Sequence, residues 1–269
     1  MLSRGALLPW LIGCYAFLYA PIAFLVWFSF NDARSVTLWA GFSLRWYRVL
    51  AGDPALIDAA LLSLRIAVVS ASIALLFGTA SGLALARFGR FRARSVFEAA
   101  LFAPLILPEV ITGLSLLLLF VVLENAIGWP AGRGAGTVTI AHASVSVAYV
   151  AVVVRARLAD TGTALEEAAA DLYAPPWKVF AVVTVPLLMP ALVSGWLLAF
   201  TLSLDDVVVA SFTSGPGAST LPMVVFSATR LGVTPEIYAL ATVIVAVVSC
   251  VLLLAARVRR LSRDRLTRR

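Results

Sequence analysis

The sequence has very little charge for its length. Only 13% of its 269 residues are Asp, Glu, Lys or Arg, whereas 62% are hydrophobic. A soluble domain carries about 25% charged residues and roughly 45–50% apolar ones, so this chain lacks the charge needed to cover a globular surface of its size. The shortage argues against a soluble enzyme, a disordered chain and a nucleic-acid-binding protein.

Lysine, cysteine and histidine are also scarce. Of the 21 cationic residues, only Lys178 is a lysine, and it does not stand in the Gly-Lys-Ser/Thr sequence of a nucleotide-binding P-loop. Cys14 and Cys250 lie in separate apolar runs, which excludes a disulfide framework or a metal-binding spacing. With one histidine and neither a His-Glu-x-x-His nor a Gly-x-Ser-x-Gly sequence, an intramembrane enzyme is disfavoured too. We therefore expect no catalytic residue, no metal and no cofactor on this chain.

A helix of about 20 apolar residues crosses a hydrocarbon core of ~30 Å. The sequence contains apolar runs of about that length. There are six of them: Leu8–Phe30, Leu61–Ala86, Phe97–Leu123, Val138–Val154, Val182–Leu204 and Ile237–Ala256. Because the runs are uniformly apolar rather than alternating, they predict helices and not barrel strands. The first run exceeds the core of about 7–15 residues in a signal peptide, and we expect it to be retained. The sequence thus predicts an all-α polytopic membrane protein that forms a single transmembrane domain over residues 1–269.

The cations are divided unequally between the loops. Fifteen lie at the N-terminus, after the second and fourth runs, and after the sixth run, whereas five lie in the other loops and Arg65 lies inside a run. Because cytoplasmic loops are enriched in Lys and Arg, this asymmetry predicts that both termini, including the basic tail at 257–269, are cytoplasmic. The net charge of +7 is then a topology signal and does not indicate nucleic-acid binding.

Small residues and prolines interrupt some of the runs. Gly78 and Gly82 are four residues apart in the second run, a spacing that favours close helix packing. Prolines in the third and fifth runs predict kinks, which membrane helices tolerate near cavities or neighbouring helices. They are Pro104, Pro108, Pro186 and Pro190.

The loop between the fourth and fifth runs carries the signals of a short helix. Thr163 and Glu166 have the spacing of a capping box, and apolar residues recur at helical spacing as far as Tyr173. Pro175 and Pro176 then end the helix. A capped helix outside the membrane fits a partner's groove, although these residues alone also fit a surface helix that merely joins two spans.

From Glu167 onward, the sequence EAAADLYAPPWKVFAVVTVP resembles the EAA loop of ABC importer permeases. That loop has Glu-Ala-Ala, three residues, Gly, nine residues and Ile-x-Leu-Pro. The corresponding places here hold Glu167-Ala168-Ala169, Tyr173, Val183 and Val185-Pro186. The resemblance implies a type I importer permease fold with six transmembrane helices. In that fold residues 163–181, which we call the coupling loop, form a coupling helix between the fourth and fifth helices that docks on a cytoplasmic ATPase. The residues implied in this coupling are Glu166, Glu167, Ala168, Ala169, Asp171, Leu172, Tyr173, Ala174 and Pro186.

Tyr173 departs from the family pattern, which has Gly at this place. In a left-handed conformation, a non-glycine residue costs roughly 1–2 kcal/mol. Two interpretations stay open at this point: either the turn is reshaped, or Tyr173 contributes an aromatic contact to the ATPase.

Segments in other parts of the chain resemble one subfamily, the second permease subunit of polyamine importers, and the putrescine type more than the spermidine type. The segments are LPWLIGCYAFLYAPI from Leu8, PEVITGLSLLLLFV from Pro108, TIAHASVSVAYVAVVVRARL from Thr139 and GWLLAFTLSLDDVVVASFTSGPGASTLP from Gly195. This resemblance implies alternating access in the bacterial inner membrane. It also implies a heterodimer with a second permease, a homodimeric ATPase that binds ATP and Mg, and a periplasmic substrate-binding protein. A permease for another small solute is the alternative, and a stand-alone channel or carrier has no need of a coupling helix.

A membrane path for a polycation needs carboxylates and aromatic faces, and charged residues inside a membrane mark such paths. The acidic candidates are Asp205, Asp206 and Glu109, and the aromatic candidates are Trp196 and Tyr149. The alternatives are that the Asp pair caps the outer end of the fifth helix and that the aromatic residues belong to an interfacial belt. His142 is expected to hydrogen-bond between helices, whereas the role of Arg65 is open.

Overall fold

A computed structural model of the protein describes residues 4–34, 38–231, 235–246 and 249. The regular structure of these residues is helical, apart from one antiparallel bridge between Asn31 and Phe42. The predicted all-α class is confirmed. The helices, in chain order, are α1 (Arg4–Phe28), α2 (Arg45–Ala51), α3 (Pro54–Arg87), α4 (Arg94–Ile106), α5 (Glu109–Ile127), α6 (Ala135–Thr161), α7 (Ala164–Asp171), α8 (Pro176–Val179), a π-helix (Phe180–Thr184), α9 (Val185–Asp205), α10 (Val208–Thr213), α11 (Leu221–Leu231) and α12 (Pro235–Ala246).

Five helical segments of the described residues are long and apolar enough to cross a membrane. They are Leu8–Phe28, Pro54–Arg87, Glu109–Ile127, Ala135–Thr161 and Pro176–Asp205. Each corresponds to one of the first five predicted spans. The shorter α12 covers the beginning of the sixth. The rest of the predicted Ile237–Ala256 span, apart from residue 249, and the basic tail at 257–269 lie outside the described residues.

The third predicted span, Phe97–Leu123, needs a correction. It is not one kinked helix, because α4 ends at Ile106 and α5 begins at Glu109. Leu107 between them has an extended backbone, with φ −76° and ψ 141°. Pro108 explains the break, since its ring disfavours a helical conformation in the preceding residue and it has no N–H to donate. Glu109 therefore lies at the start of a spanning helix rather than inside one.

The described chain divides into two compact units. The first comprises the described residues within 1–57 and 225–269. Within it, the segment after α1 is organised by the buried Asn31, whose side chain donates to Leu38 O at 2.6 Å and accepts from the Ala40 amide at 2.8 Å. Trp46 of α2 is also buried and donates to Asn31 O at 2.7 Å. One amide side chain therefore closes the loop between α1 and α2.

The second unit, Asp58–Val224, contains most of α3 and the helices from α4 to α10, and α6 lies in its core. The largest core cluster comes from α3, α6 and α9, and its residues are mainly small or β-branched, so these helices approach closely. These residues are Ala71, Ala74, Val150, Val154, Leu158, Leu188 and Ala199.

A close helix contact in the second unit occurs at the glycines of α3. A Cβ atom at Gly78 would lie 2.6 Å from the Cβ of Val150, and one at Gly82 would lie 2.9 Å from the carbonyl oxygen of Ala151. Both glycines are buried. The backbones of α3 and α6 meet at a distance that leaves no room for side chains, as the spacing of the two glycines predicts.

Candidate functional site

The coupling loop contains α7 and α8 and exposes a group of large apolar side chains. Its second half runs through α8 into the π-helix that precedes α9. We call the exposed group the apolar patch; it consists of Leu165, Leu172, Tyr173 and Trp177. Leu172 and Tyr173 are 83% and 96% exposed. Large apolar side chains exposed together on one short loop favour an interaction surface.

The side chain of Glu166 does not form the predicted capping box. Thr163 occupies the N-cap position of α7 but makes no side-chain capping bond. Glu166 instead accepts two hydrogen bonds, from Arg87 Nε and from Thr184 Oγ1, each at 2.8 Å. The prediction is wrong because a guanidinium is within reach, and its full positive charge attracts the carboxylate more strongly than the dipole of a backbone amide does.

Arg87 also bonds to the chain just before the coupling loop. Its guanidinium also donates to Gly162 O at 2.6 Å and to Leu158 O at 3.3 Å. Arg87 is the last residue of α3, and Thr184 is the last residue of the π-helix. The Glu166 carboxylate therefore joins the coupling loop to the end of α3, which lies 79 positions earlier in the chain, and to Thr184 of the π-helix that continues from the loop.

The C-terminal end of α7 adopts the turn that the family's glycine would favour. Tyr173 has φ +56°, in the left-handed region. Its amide donates to Ala170 O at 2.9 Å, and the Ala174 amide donates to Ala169 O at 3.2 Å. This pair of bonds is a Schellman motif, which requires a left-handed residue at the position of Tyr173. Of the two interpretations left open above, a reshaped turn is excluded.

A second feature is a cavity of about 260 Å³ in the second unit. Glu109, Tyr149, Asp205 and Asp206 all line it. Glu109 reaches it from the first turn of α5, Tyr149 from α6, and the Asp pair from the junction between α9 and α10. The structure thus brings four of the five candidate path residues around one space.

His142 and Asp206 are two of the polar residues that line this cavity. The His142 ring is buried; its Nδ1 lies 2.7 Å from Ser203 Oγ and its Nε2 lies 3.6 Å from Asp206 Oδ1. The same Asp206 oxygen accepts the Ala210 amide at 2.9 Å, in the first turn of α10. By position Asp206 is the C-cap residue of α9, as the alternative interpretation supposes, and its side chain accepts a hydrogen bond from the first turn of α10. It lines the cavity as well.

Comparison with known proteins identifies the family to which this chain belongs. Residues 74–268 match the family described as binding-protein-dependent transport system inner membrane component. The chain belongs to this family. The permease is 56% identical over 248 residues to the putrescine transport system permease protein PotI of Escherichia coli K12, with 90% of this chain and 88% of the relative covered. It is 38% identical over 251 residues to the spermidine/putrescine transport system permease protein PotC of the same strain, with 93% and 91% covered.

Solved structures support the fold of the permease. A bacterial ABC transporter involved in the import of the acidic polysaccharide alginate has a chain with a TM-score of 0.71 at 17% identity, covering 96% of this chain and 98% of its own. A chain of the MetNI methionine ABC transporter has a TM-score of 0.60 at 18% identity, covering 76% and 94%. The permease is therefore a multi-pass inner-membrane protein with the fold of ABC importer permeases.

Two of the singled-out side chains of the permease lie away from the cavity. Trp196 stacks on Phe200 at 5.2 Å between ring centroids and donates to Ser72 Oγ at 3.2 Å. Arg65 is exposed, and no ion pair joins it to another described residue. Neither side chain is among the residues that line the cavity.

Sequence reasoning missed three residues that bond to the coupling loop or to the lining of the cavity. They are Arg87, Thr184 and Ser203. Arg87 counts in the sequence only as one of many topology cations, and Thr184 and Ser203 are ordinary polar residues in apolar runs. The one available signal was that Arg87 is the first cation after the second run, at the membrane boundary where a guanidinium can reach a neighbouring loop.

Proposed function

We propose that this permease is a subunit of an ATP-driven importer that moves polyamines across the inner membrane by alternating access, with putrescine favoured over spermidine. The observation that carries this proposal is the 56% identity to the putrescine permease over 90% of the chain, against 38% to the spermidine/putrescine permease. The acid-lined cavity gives the transport of a polycation a physical basis.

The cavity has the chemistry that a polycation requires. Glu109, Asp205 and Asp206 offer three carboxylates, which offset the loss of hydration when an ammonium group leaves water. Tyr149 offers an aromatic face, and a cation–π contact contributes about 0.5–2 kcal/mol. We infer that these four residues line the route, while Trp196 does not contact the cation.

We further propose that the coupling loop docks on a cytoplasmic ATPase. The support is the apolar patch, which leaves four large side chains exposed, together with the exposed Glu167. The bonds from Glu166 to Arg87 and Thr184 give this loop a rigid attachment to α3 and to the π-helix. ATP and Mg bind on the ATPase, which is a homodimer in this proposal, so this chain needs no nucleotide site and is not itself an enzyme.

The remaining partners follow from the same proposal. A second permease subunit completes the pathway, and a periplasmic protein delivers the substrate. The bilayer surrounds the spans with both termini on the cytoplasmic side. In support of this topology, Arg87 at the end of α3 meets Glu166 of the coupling loop, and Arg94 and Arg155 both pair with Glu98 at 3.6 Å and 3.2 Å. The charge asymmetry assigns all three of these cations to the cytoplasmic side.

Uptake by the assembled importer tests the substrate assignment. Replacing Asp205 and Asp206 together by Lys should abolish putrescine uptake while the subunits still co-purify, because the route then repels the substrate. Asp58→Lys, a charge reversal at an exposed residue that does not line the cavity, is the matched control and should transport normally. Normal putrescine uptake by the double variant would refute the path, and a wild-type importer that carries another solute instead would refute the substrate.

ATP hydrolysis in reconstituted vesicles tests the docking. Glu167→Arg should separate hydrolysis from uptake, so that ATP is consumed without transport or is no longer consumed in response to substrate. Asp160→Arg, an exposed charge reversal just before the coupling loop, is the control. Unchanged coupling in Glu167→Arg would contradict the docking role, and uptake without any ATPase would favour a stand-alone carrier.

A further inference from the structure

Aromatic residues are concentrated around the C-terminal end of α1. Seven of the 21 residues from Trp27 to Tyr47 are aromatic, against 10% of the whole chain. Trp39 stacks on Trp27 with 5.3 Å between the ring centroids, and Phe42 stacks on Phe30 at the same distance. The Tyr47 ring lies 5.4 Å from that of Phe30. The rings that follow α1 in sequence therefore lie at the level of its last residues.

Six of these rings contact one another, and we call them the aromatic girdle. They are Trp27, Phe28, Phe30, Trp39, Phe42 and Tyr47. The apolar segment of α1 that ends at Phe28 has 21 residues. A helix of that length rises about 31 Å, which is the thickness of a hydrocarbon core. The girdle therefore begins where α1 leaves the hydrocarbon, and Trp and Tyr are enriched at this boundary because their rings are apolar and their N–H or O–H groups reach polar partners.

The segment that follows α1 has polar side chains inside and apolar side chains outside. Ser29 and Asn31 are buried, and both form hydrogen bonds within the segment. Leu38, Phe42 and Leu44 are exposed, the first two at 68% and 72%. Because removal of apolar surface from water is the dominant favourable term in folding, this arrangement suits a partly apolar medium better than water.

Two exposed cations stand on α2 beside Tyr47 of the girdle. Arg45 and Arg48 are three residues apart, which places them on the same side of the helix. No ion pair joins either one to another described residue. They are two of only five cations that the charge asymmetry places opposite the cytoplasm, so the topology signal does not account for them. A guanidinium forms paired hydrogen bonds with phosphate oxygens, and α2 presents two such groups.

We propose that the aromatic girdle and the two arginines of α2 bind the headgroup layer of the bilayer, with the guanidinium groups on the phosphates of anionic phospholipid. Lipid is the occupant because the surface continues directly from a spanning helix and combines exposed apolar side chains with cations that have no acidic partner. In the proposed topology, this layer belongs to the outer leaflet of the inner membrane. None of these residues lines the cavity, so lipid binding here is independent of the transported solute.

Photocrosslinking in the assembled importer identifies what covers the girdle. A phenylalanine that carries a benzophenone group replaces the exposed Phe42, and the complex is irradiated in native membranes. Mass spectrometry should find phospholipid attached to this chain. The same label at Leu172 of the apolar patch is the control and should give a protein adduct without lipid. A protein adduct at Phe42, or no lipid adduct there while Leu172 crosslinks, would overturn the proposal.

Lipid titration tests the phosphate contacts. Phosphatidylglycerol is added to the detergent-purified importer complex, and bound lipid is counted by native mass spectrometry. An arginine near an anionic surface contributes about fivefold in affinity, so Arg45→Gln combined with Arg48→Gln should weaken binding by about 25-fold. Lysine at both positions keeps the charge and should retain most of the binding. Arg133→Gln is the matched control, because this cation is assigned to the same side and its guanidinium already donates to Phe212 O at 3.4 Å.

Two results of the titration would overturn the phosphate contacts. One is equal affinity for phosphatidylglycerol in the Gln double variant and in wild type, and the other is equal wild-type affinity for phosphatidylglycerol and for zwitterionic phosphatidylcholine. Neither the crosslinking nor the titration involves putrescine. Failure of the proposed function, seen as a wild-type complex that does not import putrescine, is therefore distinguishable from failure of the lipid-binding surface.

Discussion

Tyr173 offers a quantitative test of the coupling loop, because backbone strain and surface contact act there in opposite directions. The residue has φ +56° at a position where glycine is favoured, and its side chain is 96% exposed. A left-handed non-glycine residue costs roughly 1–2 kcal/mol. Glycine avoids that cost but loses about 0.5–1 kcal/mol through its greater freedom in the open loop. Tyr173→Gly should therefore stabilise the Schellman turn by a net amount of about 0.5–1 kcal/mol.

Hydrogen exchange at the Ala174 amide measures this directly, since that amide donates to Ala169 O across the turn. Under conditions where exchange reports the opening equilibrium, the expected stabilisation corresponds to about two- to fivefold slower exchange. Tyr173→Ala is the matched control, because it removes the ring but keeps the Cβ that causes the strain. Equal exchange rates in the Gly and Ala variants would refute the left-handed assignment.

The same two variants separate the ring from the backbone in docking. Both lack the aromatic side chain, so both should retain the ATPase less well in detergent, by roughly fivefold or more if the ring is a central contact. Tyr173→Phe should behave as wild type does. If the Gly and Ala variants retain the ATPase as firmly as wild type, the apolar patch does not depend on Tyr173, and the aromatic interpretation fails.

Two further predictions concern helix packing and the attachment of the loop. Gly78→Ala should lower the thermal unfolding midpoint, because its Cβ would lie 2.6 Å from Val150 Cβ and overpacking costs about 1–3 kcal/mol. Gly136→Ala is the control and should not lower the midpoint, because no atom lies within 4 Å of the added Cβ. Equal midpoints for the two variants would contradict the close contact between α3 and α6. Arg87→Gln should increase the ATP consumed per substrate imported, because Glu166 loses its charged partner, and Arg87→Lys should fall between this variant and wild type. Unchanged stoichiometry in Arg87→Gln would show that the bond to Glu166 is not needed for coupling.

Several features of the fold and the loop could be predicted because their causes are local. Pro175 and Pro176 separate α7 from α8, and Gly78 and Gly82 lie where α3 meets α6. The break before α5 was missed although Pro108 was noted, because a proline in a membrane helix is compatible with either a kink or a break. The neighbouring helices decide between the two.

The sequence predicts which residues form the candidate site but not which of their atoms form hydrogen bonds with one another. The carboxylates at Glu109, Asp205 and Asp206 attract notice in an apolar sequence, since an intramembrane charge is costly. The choice of Arg87 and Thr184 as partners of Glu166 does not follow from spacing, because a capping box is equally consistent with the sequence. Only the position of α3 relative to the coupling loop brings a stronger partner within reach.

The sequence by itself determined the architecture of this protein. Apolar runs of about 20 residues must become helices in a bilayer, since each backbone group has to be satisfied within its own segment. The tertiary structure alone decided which polar atoms meet. His142 and Ser203 are 61 positions apart, and Ser70 and Ser203 are 133 apart. No periodicity along the chain encodes such contacts, because they depend on how closely three helices pack.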